Sequence, residues 1–462
     1  MTAPLTIQTT SQKGQSKSRY KGLVSGIKEL ENLHGIRRSR QKRYQSGNDL
    51  SKEEVSKINS RELDSLVFSH EKFMQCLSLD SLVQADFPST KPILYRFSGQ
   101  EIQALKRELI PEEKKILENL VFKISPLKGS RQQTDIWVSI FRNSFIPEKL
   151  KGHLLNLYSE IIPTYVLFSE YKSFPKAVRV EVMEKRGTDM ECLLEQKSLD
   201  TITALGISVD AIGKYHVLAS NLKKTRMRVL HEFFTRSFVG RSGDINSRLG
   251  YLEEPIIGDI FNSGTDLYSQ ISNDLYQLSG YFSDDKSWDK EKFLQNLFFG
   301  VFHGDTRIEN FLYNNGKVSV VDPKFHSGIR LEDLAIIFTD PVFKDCLLTR
   351  KEKQRLIGNY LTSYQDSLLP QNLGYERLLQ KEEIDKLSEK LLMQVERLEL
   401  FVCSMYVNTY IARDDFHTAR GYLKTMGNNP VIRKDPSSGS FYKLFRKALN
   451  ESGYRKDLID TT

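Results

Sequence analysis

Residues 301–325, VFHGDTRIENFLYNNGKVSVVDPKF, constrain the fold more than any other part of the chain. Two carboxylates, Asp305 and Asp322, and one carboxamide, Asn310, stand at fixed spacing between short apolar runs. Residues 298–302 read as an apolar lead-in, and residues 311–313 and 318–321 as two strands. Asn314-Asn315-Gly316 between them predicts a tight hairpin, because Asn-Gly supplies the positive φ that such a turn needs. A hairpin of that length carries Asp322 back to the side of Asn310.

Phosphoryl transfer from a nucleotide calls for this set of groups: a carboxylate to orient a hydroxyl and accept its proton, and oxygen ligands to hold Mg²⁺ against phosphates. His303-Gly304-Asp305-Thr306-Arg307-Ile308-Glu309-Asn310 resembles the catalytic loop of the protein-kinase-like superfamily. Its His-Gly-Asp start is more similar to the aminoglycoside and choline phosphotransferase branch, since protein kinases usually carry Arg where this chain has Gly304. The resemblance implies that Asp305 is the catalytic base and that Arg307 neutralises the transferring phosphoryl group. It implies Asn310 and Asp322 as metal ligands, with ATP and Mg²⁺ as cofactors and a hydroxyl group, expected on a small molecule, as acceptor. Leu331-Glu332-Asp333-Leu334-Ala335 is similar to the Asp-Leu-Ala of the same branch, where the Asp braces the loop. The departure is Asp322-Pro323-Lys324, where a protein kinase reads Asp-Phe-Gly; it weighs against an activation switch more than against catalysis.

The fold so implied is α+β and two-lobed, with a small strand-rich N-lobe, a large helical C-lobe and helical extensions. Along the chain this gives a basic, mostly disordered arm at 1–60, a helical extension at 61–120, an N-lobe at 121–186 and a C-lobe at 187–462. Strand character at 121–124, 135–142, 164–171 and 177–183, with a helix at 147–161, has the order of a kinase-like N-lobe. Residues 128–134, with Gly129, are the candidate loop over the phosphates; a plain hairpin turn is the alternative. If 121–124 is the third strand, Lys123 grips the phosphates and Glu160 is its ion-pair partner. If it is the first strand, Arg142 takes that place. The apolar residues flanking Lys123 resemble the kinase Val-Ala-Ile-Lys pattern and favour it. Met183 and Glu184 fall where a hinge would meet an adenine edge.

Charge separates the arm from the body. Residues 1–45 hold ten Lys or Arg against Glu29 and Glu31, and ten minus two gives the whole net charge of +8. The basic balance therefore describes the arm and gives no ground for a nucleic-acid-binding surface on the folded body, while the arm itself suits an anionic surface. Four cysteines, Cys76, Cys192, Cys346 and Cys403, lie far apart with no Cys-x-x-Cys, which argues against a disulfide framework or a zinc site and for a reducing, cytoplasmic compartment. The Ser- and Arg-bearing start leaves organellar import open. No apolar run reaches the length of a membrane-spanning helix. Two other functions fit the sequence: a pseudokinase scaffold, and a nucleic-acid or membrane-surface binder acting through the arm.

Beyond the hinge the periodicity predicts helices at 189–196, 209–222, 351–368, 381–412 and 441–450, with an inserted helical subdomain over 223–292 and a loop over 427–440. Leu391, Val395, Leu398, Phe401 and Val402 form one apolar face. Tyr406 and Tyr410 extend it, and core packing accounts for them better than a ligand site.

Overall fold

The structure is a computed structural model, and it describes residues 93–95, 120–126, 148–163, 165–171, 178–184, 186–220, 228–229, 254–282, 288–343, 348–368, 378–411 and 415–451. Residues 1–60, all of the helical extension expected over 61–120 except 93–95 and 120, the loop with Gly129, and the strand with Arg142 lie outside the described residues. Packing divides the chain into two compact units, Met1–Arg186 and Gly187–Thr462.

In the first unit, β1 (Ile93–Tyr95), β2 (Leu120–Pro126), α1 (Glu148–Ile161), β3 (Tyr165–Tyr171) and β4 (Val178–Glu184) follow in order. The strands form one antiparallel sheet in the order β1-β2-β4-β3. Val178, Val180 and Val182 alternating with Arg179 and Glu181 give the period of two expected of a strand. Its register with β2 places Lys123 opposite Glu181, and Met183 opposite Val121. Within the expected helical extension, Leu120 instead opens β2 and Ile93–Tyr95 form β1, three residues that carry too little pattern to be read from sequence. α1 buries Leu154, Leu157, Tyr158 and Ile161 along one face, spaced at helical intervals.

In the second unit, β5 (Thr188–Asp189) leads into α2 (Met190–Glu195), which Asp189 caps by accepting from the Cys192 N–H at 2.8 Å. Next come α3 (Thr201–Ala219), capped by Asp200, then β6 (Arg228–Val229), α4 (Glu254–Tyr281), α5 (Trp288–Phe298) and β7 (Phe299–Phe302). α4 and the start of α5 lie in the stretch 223–292 expected as an inserted helical subdomain, and α5 runs six residues beyond it. A 3₁₀ turn, Ile308–Asn310, precedes the hairpin of β8 (Phe311–Asn314) and β9 (Lys317–Val320). Asn315 and Gly316 both have positive φ, +48° and +81°, as a two-residue hairpin turn requires. β10 (His326–Ile329) then pairs antiparallel with β7, His326 opposite Phe302, and parallel with β6.

The remaining elements are helical: α6 (Glu332–Thr339), α7 (Arg350–Leu368), α8 (Lys381–Ile411), α9 (Phe416–Gly427), α10 (Val431–Lys434) and α11 (Pro436–Glu451). The core lies where α3, α6, α7 and α8 pack together. α3 is wrapped on nearly every side, with Leu205, Val209, Ile212, Tyr215 and Leu218 all buried, and it starts eight residues before the apolar face that predicts a helix at 209–222. The loop expected over 427–440 is a correction. Those residues form α10 and the start of α11, because Asp435 caps the Ser438 N–H at 2.9 Å and Pro436 sits in the first helical position, where its missing N–H costs nothing. Among the described residues, no helix is long and apolar enough to cross a membrane.

Candidate active site

The loop 303–310 runs from the end of β7 to the start of β8. Two backbone hydrogen bonds tie the returning strand to it: Lys324 N–H donates to the His303 carbonyl at 2.7 Å, and Val321 N–H to the Asn310 carbonyl at 2.9 Å. This double tie makes Asp322 the neighbour of Asn310 in space. Asp322 itself holds φ at +59°, a left-handed conformation that costs a non-glycine residue on the order of 1 kcal/mol.

Both ends of the loop are held by carboxylates from the ends of α6. At the N-terminal end, Asp333 accepts from the backbone N–H groups of His303 at 2.7 Å and Gly304 at 2.8 Å. It also takes a hydrogen bond from His216 Nε2 of α3 at 2.8 Å, while its carbonyl accepts from the Thr306 hydroxyl at 2.6 Å. At the C-terminal end, Asp340 accepts from Ile308 N–H at 2.8 Å. Every residue of α6 is buried, so the helix acts as a rigid spacer between the two clamps.

The histidines are neutral and have fixed tautomers. Burial lowers the pKa of both His303 and His216, and it outweighs the nearby carboxylates at His303. The Val321 carbonyl can only accept, so His303 Nε2 donates to it at 2.8 Å while Nδ1 accepts from the Asp305 N–H at 3.2 Å. His216 donates to Asp333 and accepts from the Tyr360 hydroxyl at 2.9 Å. Gly304 is left-handed at φ +78°, and a Cβ there would lie 2.7 Å from Cγ of His326. The ring of His326 thus explains a glycine in this place.

Asp305 stands at the surface end of this frame with 14% of its side chain exposed. Burial alone would raise its pKa, but Arg307, then Lys324, outweighs it and holds the carboxyl below its ordinary range. Arg307 Nε donates to Oδ1 at 2.9 Å, the Lys324 ammonium lies 3.6 Å from Oδ2, and the Tyr406 hydroxyl reaches Oδ1 at 3.4 Å. Arg307 is further held by the Tyr410 hydroxyl at 3.0 Å and by Glu309. Asn310 Nδ2 donates to the Asp305 carbonyl at 2.7 Å, which leaves Oδ1 as the atom of that side chain able to accept or to meet a cation.

The structure thus brings Asp305, Arg307, Asn310 and Asp322 into one region of the second unit. Lys123, Glu160, Met183 and Glu184 belong to the first unit, on β2, the last turn of α1 and the end of β4, and Gly129 is outside the described residues. Asp340, Lys324 and His216 are functional neighbours that the sequence motifs do not single out. Asp340 has a faint signal, an Asp-Pro pair closing an apolar helix. Tyr406 and Tyr410, expected as core, do stack with Tyr422, yet their hydroxyls face Asp305 and Arg307. A position at the end of a 31-residue helix gives no hint of that in sequence.

The site's donors are hard oxygens. Among the described residues no group of three or more His, Cys, Asp or Glu could hold a metal ion. Asn310 and Asp322 offer two oxygen-bearing side chains, a set that suits a cation taking its other ligands from phosphate and water.

No family model matches the chain, and no curated protein does. Among solved structures, the chain is similar to the amicoumacin kinase hAmiN in complex with AMP-PNP, Ca²⁺ and Ami, at 11% identity and a TM-score of 0.34, covering 72% of this chain and 82% of that one. It is similar also to a GDP complex of an aminoglycoside 2'-phosphotransferase-IIIa variant, at 10% identity and a TM-score of 0.36, covering 78% of this chain and 99% of that one. Likenesses of that size assign no function. The chemistry of residues 303–340 has to carry any functional assignment by itself.

Proposed function

We propose that the protein is a kinase-like phosphotransferase that moves the γ-phosphoryl group of ATP to the hydroxyl group of a small molecule. The observation that carries this is the loop itself. An ionised, cation-flanked Asp305 stands on a backbone clamped by Asp333, with the Asn310 carboxamide bonded to the Asp305 carbonyl and Asp322 carried beside it.

Asp305 orients the acceptor hydroxyl and takes its proton as the new P–O bond forms. Its low pKa suits a loose transition state, in which the hydroxyl needs little activation before attack. Asn310 and Asp322 would hold Mg²⁺, which supplies charge neutralisation on the phosphate oxygens. Asp333 and Asp340 keep the loop rigid, so that little reorganisation accompanies transfer. Lys123, with Glu160, is assigned to the phosphates, and Met183 and Glu184 to the adenine edge; these four rest on strand order and on the resemblance, while the alternative with Gly129 in the loop over the phosphates would require 121–124 to be the first strand.

Calorimetric titration with Mg-ATP tests the division of labour. The wild type and Asp305→Asn should bind with affinities within a few-fold of each other, while Asp322→Ala should lose the Mg²⁺-dependent part. Equal binding by all three proteins would remove Asp322 from the metal site and the proposal with it.

A further inference from the structure

Two cations reach Asp305, and their surroundings differ. The guanidinium of Arg307 is committed at all three nitrogens: Nε to Asp305 at 2.9 Å, Nη1 to the Tyr410 hydroxyl at 3.0 Å, and Nη2 to Glu309. Its side chain is 24% exposed. To meet a phosphoryl group it would have to leave two charged partners and the hydroxyl of a half-buried tyrosine. Lys324 is held differently. Its backbone N–H is fixed to the His303 carbonyl at 2.7 Å, but its side chain is 46% exposed and its ammonium lies 3.6 Å from Asp305 Oδ2, beyond a normal N–H···O bond.

Resting on the phosphotransferase function proposed for this site, we infer that Lys324, and not Arg307, is the cation that meets the transferred phosphoryl group, and that Arg307 is a positioning residue for Asp305. Lys324 follows Asp322 by two residues and touches the base, so it spans the interval between the metal side of the site and the attacking hydroxyl. An ammonium on a flexible stem carries three rotatable donors and can follow a moving group, whereas a planar guanidinium held by three partners cannot. The step balances. The acceptor oxygen forms the new bond to phosphorus, the bond from phosphorus to the β,γ-bridging oxygen breaks, and the leaving diphosphate keeps the electron pair. The hydroxyl proton passes to Asp305. Once Asp305 is neutral, its hold on Lys324 weakens, and the ammonium stays with the phosphate oxygens of the product.

The assignment predicts a kinetic split. ADP formation from Mg-ATP would be measured with water and with a mixture of small alcohols and amino sugars as acceptors, for wild type, Lys324→Met, Lys324→Arg and Arg307→Lys. Lys324→Met should lower kcat by about a hundredfold or more, with KM for Mg-ATP within about twofold of wild type. Lys324→Arg should recover part of the rate. Because the Lys324 side chain is half exposed, the melting temperature of Lys324→Met should stay near that of wild type, which separates a chemical loss from a folding one. Arg307→Lys should retain more activity than Lys324→Met. An active wild type whose Lys324→Met variant turns over equally well overturns the assignment alone. A wild type that forms no ADP with any acceptor removes the phosphotransferase function, and the assignment falls with it.

Discussion

Asp305 and Asp333 lie in one network but titrate in opposite directions. Arg307 and Lys324 keep Asp305 ionised through the ordinary pH range, so no acid limb near neutrality belongs to it. Burial pushes Asp333 up to about 6, against the two loop N–H groups and the Thr306 hydroxyl, which favour its charged form. As pH falls through about 6, Asp333 takes a proton, one oxygen stops accepting, and the loop loosens. The rate of ADP formation should therefore decline below about pH 6, and Asp333→Asn should move or remove that limb. Stability runs the other way: a folded pKa above the unfolded value contributes stability that is present below the unfolded pKa and lost as pH rises through the folded one. Urea unfolding at about pH 5 and about pH 7 checks the sign, with the Asp333 contribution larger at the lower pH. Gly304→Ala makes a second residue-scale prediction. A Cβ 2.7 Å from the His326 ring at φ +78° should cost at least about 1–2 kcal/mol, seen as a lower denaturation midpoint, with His303 and Asp305 displaced and activity lost together. Asp305, Asn310 and Asp322 are legible in the sequence because their spacing is local. Lys324 and Asp340 are not, because each acts on a residue that only the β7, β10 and α6 packing brings near.

At the scale of elements, the helices are stitched by buried ion pairs on α8. Arg397 donates to Asp274 of α4 and Asp435 at the cap of α11, and Glu399 pairs with Lys353 of α7 at 2.6 Å. Arg397→Ala leaves Asp435, 9% exposed, without its cation, which should cost about 2–3 kcal/mol. Burial tends to raise the Asp435 pKa, but the hydrogen bonds from Arg397 and Ser438 and the Arg397 charge together more than offset it, so this contribution is present above the unfolded pKa and lost as pH falls through the folded one. Hydrogen exchange should show faster opening of α11 in the variant at neutral pH, while α3 keeps its protection. The hairpin β8–β9 is readable because Asn-Gly has one good use between two apolar runs, and α7 and α8 because their apolar periodicity is long. α10 and the start of α11 are not, since Gly, Asn, Pro and Ser suggest a loop by composition even where Asp435 and Pro436 form a helix start. β10 has only four residues, with Ser327 and Gly328 among them, so its pairing with β7 has no signature of its own.

For the molecule as a whole, charge and chemistry reside in different places. All of the net charge of +8 belongs to residues 1–45, and the oxygen donors and the candidate base belong to the second unit. Deleting residues 1–45 should abolish salt-dependent sedimentation with anionic vesicles, if the full chain shows it, while leaving ADP formation intact. Every role proposed for the loop depends on Asp305 accepting a proton from an attacking hydroxyl during phosphoryl transfer. The time course of ADP formation from Mg-ATP by wild type and Asp305→Asn, with the same mixture of hydroxyl acceptors, probes that step without intermediaries. Acceptor-stimulated turnover by the wild type is expected, with a fall of about a hundredfold or more in the variant at unchanged fold. Equal turnover by the two proteins would mean that Asp305 is not the base.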